Sequence, residues 1–97
     1  MNVGVCRIEL HLPENESLKG KRQVVKSIIA RLQNRYKVSV AEVDNQELWQ
    51  IATLGIVCVS NHRRHADETL SNVLKFIVQS YPNLEVVSSE KEVFPAL

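Results

Sequence analysis

Seven of the chain's twelve lysines and arginines fall between Ser17 and Lys37, and no aspartate or glutamate occurs between Glu16 and Glu42. Four of these residues, Lys19, Lys21, Arg22 and Lys26, have the charge and the N–H donors that recognise phosphate. Three of them crowd what reads as the first turn of a helix opened by Ser17. The helix dipole and the free backbone N–H groups there favour negative charge, so each cation costs roughly a few tenths of a kcal/mol unless an anion is near. On a helical wheel Lys19, Arg22 and Lys26 lie within about 60° of one another, which brings donors and dipole together as a phosphate site. The competing account is a solvated face whose long stems cover the edge of the core. Arg31 and Arg35, on the opposite flank, suit that account better. Glu14 and Glu16, just upstream, are placed to neutralise the lysines locally and would then leave no ligand to invoke.

Other residues with chemical potential are fewer. Glu42, Asp44 and Glu47 form an acidic group that, with His11, would supply acid/base or Mg²⁺ chemistry in an enzyme. A charged edge strand and loop that discourage edge pairing would have the same composition. Trp49, the one tryptophan, could stack on a nucleobase or plug the end of a small core. His62 and His65 are three apart, but Arg63 and Arg64 between them would repel a dication and no third ligand is spaced to help. They read as surface residues that, with Arg63 and Arg64, extend a basic surface near the end of the third strand, and Arg63 and Arg64 are candidate further phosphate contacts. Three glycines are too few for a phosphate-cradling loop, and there is no nucleophile elbow or Ser/His/Asp order. The expectation is a binding protein rather than an enzyme, with no cofactor and no metal.

The elements that must position these groups follow from periodicity. Residues 3–12 alternate, with Cys6, Ile8, Leu10 and Leu12 on one side of a half-buried strand. After a break at Pro13 and Asn15, Leu18, Val25, Ile28, Ile29, Leu32 and Tyr36 recur at helical spacing as far as Tyr36 or Lys37. Val38–Val43 is rich in β-branched residues. A short polar loop then leads into a longer strand from about Trp49 to Ser60, apolar on both faces, so the pair forms a hairpin with a central second strand. Asn61 is placed to cap a second helix from about His62 to Ser80, and Leu84–Phe94 reads as a last, edge strand. The order is β-α-β-β-α-β: an α+β, ferredoxin-like fold with a four-stranded antiparallel sheet, both helices on one face, and the first and third strands in the middle. Val3, Val5, Val57 and Val59 then line the uncovered face, where a valine patch needs a partner. A second copy of the chain is the simplest, so a homodimer is expected.

Ninety-seven residues at 44% hydrophobic content make one domain spanning 1–97. The net charge of +1 removes any global electrostatic argument for nucleic acid and leaves only the local one. No apolar run could span a bilayer, and MNVGVCRIEL lacks the pattern of a signal peptide, so a cytoplasmic protein without membrane association is expected. Cys6 and Cys58, in strand-like apolar runs, read as small buried hydrophobes rather than a disulfide. The aromatic pattern by which an RRM sheet stacks bases is missing from LGIVCVSN, so RNA would have to use the basic helix.

The segments Ser17-Leu18-Lys19, Lys21-Arg22, Asn34, Val38-Ser39-Val40-Ala41-Glu42-Val43, Leu48-Trp49-Gln50 and Val59-Ser60-Asn61 resemble the YlxP-like family, small bacterial proteins with a domain of unknown function. The resemblance covers about half of the chain. It implies a ferredoxin-like fold and, because such proteins are commonly encoded near factors for translation initiation and ribosome maturation, a role around RNA or the ribosome. It implies no catalytic residues. Gly20 departs from the polar or acidic residue expected at its place in the pattern.

Overall fold

The computed structural model describes residues 1–97 as β1 (Asn2–His11), α1 (Leu18–Arg35), β2 (Ser39–Asp44), β3 (Ile51–Ser60), α2 (Arg63–Ser80) and β4 (Glu85–Pro95). The strands form one antiparallel sheet in the order β2-β3-β1-β4, so the alternating β1 and the doubly apolar β3 occupy its centre. β1 and β3 pair over ten residues, from Asn2 opposite Ser60 to His11 opposite Ile51. Cys6, Ile8 and Leu10 of β1 and Ala52, Leu54, Ile56 and Cys58 of β3 are buried under the helices. From above, Val25, Ile28 and Leu32 of α1 and Ala66, Leu70, Val73 and Ile77 of α2 complete the core. Burial of such side chains contributes about 1.5–3 kcal/mol each, which is why the three-and-four spacing holds the helices down.

The N-cap of α1 is Ser17, whose Oγ accepts a hydrogen bond from the Gly20 N–H at 3.0 Å. Asn61 does not cap α2. His62 holds the cap position without a side-chain bond, and Ser60 Oγ takes up the His62 N–H at 3.1 Å. The helix therefore starts one residue later than its sequence suggests. The chain ends lie side by side: Ala96 N–H donates to Met1 O, and the Met1 ammonium to Leu97 O, both at 2.8 Å. No helix is long and apolar enough to cross a membrane.

Candidate nucleic-acid interface

The four expected phosphate contacts part company in the structure. Lys21 is fully buried. Its angular position on α1 is that of Val25, Ile28 and Leu32, so its side chain runs inward and ends beneath the β2–β3 loop. There Nζ donates to the carbonyl oxygens of Asn45 (2.8 Å), Gln46 (3.0 Å) and Ile51 (3.1 Å). An ammonium has three protons, and these carbonyls use all of them. Glu42 Oε2 lies 2.9 Å away and balances the charge, yet receives no directed hydrogen bond of its own. A buried cation without such compensation would be strongly unfavourable. Lys21 is thus a clasp between α1 and the hairpin loop, and it leaves the set of residues available to an external anion.

Lys19, Arg22 and Lys26 remain exposed. None takes part in any of the five ion pairs of the chain, so Glu14 and Glu16 do not neutralise them. Arg31 and Arg35 face α2, where their guanidinium groups lie 5.0 and 5.1 Å from the Phe76 ring centre. Both fit the reading of stems and heads that cover the core edge.

The loop that Lys21 secures carries Trp49. The Asn15 side-chain amide donates to both Ser17 O and Trp49 O, tying this loop to the start of α1. Gln50 Nε2 reinforces the tie by donating to Pro13 O and Asn15 O at 3.3 and 3.2 Å. Trp49 does not plug the core. Its backbone is held at the surface by these bonds, and it is 55% exposed beside an equally bare Leu48. Gly20 has its reason here too: a Cβ at this position would collide with Asn15 Oδ1 and press on Ser17 Oγ.

Arg63 and Arg64 do not join this surface. They follow Ser60, which pairs with Asn2, whereas the α1 N-terminus follows His11 at the other end of β1. A ten-residue strand separates the two ends by about 30 Å. Arg64 is in addition paired with Glu68 at 3.3 Å. His65 Nδ1 is hydrogen-bonded to Ser60 Oγ at 3.1 Å.

The acidic group disperses in the same way. Glu42 points toward Lys21 on the helix side. After a bulge at Val43, Asp44 emerges on the other face and meets Arg7 at 3.2 Å. Glu47 sits in the loop, and His11 faces Glu85 at 3.4 Å. These groups form no common site. Burial raises the thiols of Cys6 and Cys58 above their ordinary value, with Lys91 partly opposing the shift at Cys6 and the Gly4 backbone at Cys58. Both cysteines are free and buried.

The sequence pattern described as a protein of unknown function, DUF503, matches residues 3–91. The chain belongs to the DUF503 family. It is 37% identical over 92 residues to the uncharacterized protein YlxP of Bacillus subtilis (strain 168), covering 95% of this chain and 99% of that one. Among solved structures, the de novo designed protein Foldit4 superimposes with a TM-score of 0.55 at 14% identity over the whole of both chains. The designed protein LFR1, with a ferredoxin fold, gives 0.55 at 13% identity over 100% of this chain and 88% of its own. These two likenesses speak to the fold alone. Of the segments that carry the resemblance to YlxP-like proteins, Lys21, Glu42 and the Leu48-Trp49-Gln50 stretch belong in this DUF503 chain to the clasp and the loop beside it.

Proposed function

We propose that this DUF503 chain is a cytoplasmic RNA-binding protein whose phosphate contacts are Lys19, Arg22 and Lys26, with Trp49 as a stacking platform beside them. The observation that carries the reading is the division of labour within the first two or so turns of α1: Lys21 is spent inside the fold, while Lys19, Arg22 and Lys26 stand exposed and unpaired. An exposed tryptophan at the same end of the molecule supplies the π-face that a splayed base requires. The translation-linked setting implied by the YlxP resemblance supports RNA, and the ribosome in particular, as the source of that phosphate.

Binding of a fluorescent single-stranded RNA across a salt series tests this. Three phosphate contacts give a slope of log K against log salt of about −2. Lys19→Glu/Arg22→Glu should lower affinity more than tenfold and flatten the slope. Trp49→Ala should cost about 1–3 kcal/mol without changing it. A wild type that fails to bind at low salt, or that binds as well as the double variant, overturns the proposal.

A further inference from the structure

The sheet face turned away from the helices is the electrostatic reverse of the helix face. Register places Val59, Val3 and Phe94 in one row across β3, β1 and β4, with Val57, Val5 and Glu92 in the next. Val57, Val59 and Phe94 are exposed and Val3 and Val5 half-buried, so the expected valine patch exists and is enlarged by an aromatic ring. The following rows bring Arg7 beside Glu90, and Glu9 beside Ser88. Arg7 is already engaged across β3 by Asp44, and Glu85 by His11. Glu9, Glu90 and Glu92 have no partner of either charge or hydrogen bond. An apolar patch is therefore bounded along β1 and β4 by three free carboxylates.

We propose that this face docks a basic amphipathic helix of a protein partner. Its apolar stripe would lie on Val3, Val5, Val57, Val59 and Phe94, and its lysines or arginines would reach Glu9, Glu90 and Glu92. A helix laid on a sheet is one of the layer arrangements that bury an apolar sheet face. Charge selects the occupant. Two copies stacked on this face would bring both sets of unpaired carboxylates into one desolvated interface, where like charges cost several kcal/mol. Nucleic acid is repelled for the same reason. The chain's own basic helix cannot serve, because its apolar stripe is in the core. The inference stands whether or not the opposite face binds RNA.

The probe is a synthetic peptide of about five helical turns, with leucines on one face and lysines on the other, added to the full chain at low ionic strength. Saturable binding is expected, weakened at least tenfold by Glu90→Lys/Glu92→Lys and by Val57→Ser/Phe94→Ser. Lys19→Glu/Arg22→Glu should leave it unchanged, which separates this surface from the RNA reading. All of these positions are exposed, and unchanged circular dichroism confirms folding of each variant. Three results overturn the proposal: equal affinity for an equally charged peptide whose leucines are replaced by serine, indifference to either sheet variant, or sedimentation as a dimer that Val57→Asp dissociates. The last would assign the face to a second copy instead.

Discussion

Lys21 shows how a residue's place in the fold can reverse what its type suggests. A lysine among lysines near a helix start reads as one more surface charge, and its neighbours' chemistry hides it. The sign that distinguishes it is its spacing from Val25, Ile28 and Leu32, which puts it on the apolar stripe. What sequence cannot supply is the partner, since the three carbonyls come from the β2–β3 loop and the first residue of β3, twenty-four to thirty residues away. Replacing Lys21 by Met strands Glu42 beneath the loop, its side chain only 17% exposed, and should lower stability by about 3–5 kcal/mol. Lys21→Met/Glu42→Leu removes the stranded charge and should lose less than Lys21→Met alone. Urea midpoints at unchanged slope measure both. Equal losses would mean that the carbonyls, and not the carboxylate, dominate the clasp.

Elements were legible where their signal is local. Alternation in β1, the stripe of α1 and the β-branched run of β2 bring every boundary to within two residues or so of the sequence reading. The cap of α2 was not, because Ser60 Oγ, at the end of β3, takes up the His62 N–H and the helix begins after His62 instead of Asn61. Trp49 stayed open between surface and core for a related reason: its exposure is decided by backbone ties to Asn15 rather than by its own hydrophobicity. Those ties also govern the start of α1. Gly20→Ala would ordinarily stabilise a helix by up to about 1 kcal/mol. Here it displaces the Asn15 amide and forfeits two hydrogen bonds worth about 0.5–1.5 kcal/mol each, so a net loss is expected. In an Asn15→Ala background the same substitution should become stabilising, a change of sign that a double-mutant cycle by thermal melting reads directly.

At the scale of the whole molecule, a net charge of +1 conceals two opposed surfaces. Lys19, Arg22 and Lys26 mark the helix side, and Glu9, Glu90 and Glu92 the sheet side. Composition recorded only their sum; the antiparallel pairing of β1 with β4 brings Glu9 onto one sheet face with Glu90 and Glu92, while α1 carries the cations on the other side. A molecule so divided is suited to hold unlike partners at once. The buried clasp has one more consequence, for motion. Because an interior cation joins α1 to the β2–β3 loop, neither can open to solvent without exposing it, so their slowest backbone amides should exchange hydrogen with a common opening free energy. β4, bonded to the sheet along one edge only, should open on its own and earlier. Lys21→Met would split the shared unit in two, and the helix and the hairpin would then breathe at separate rates.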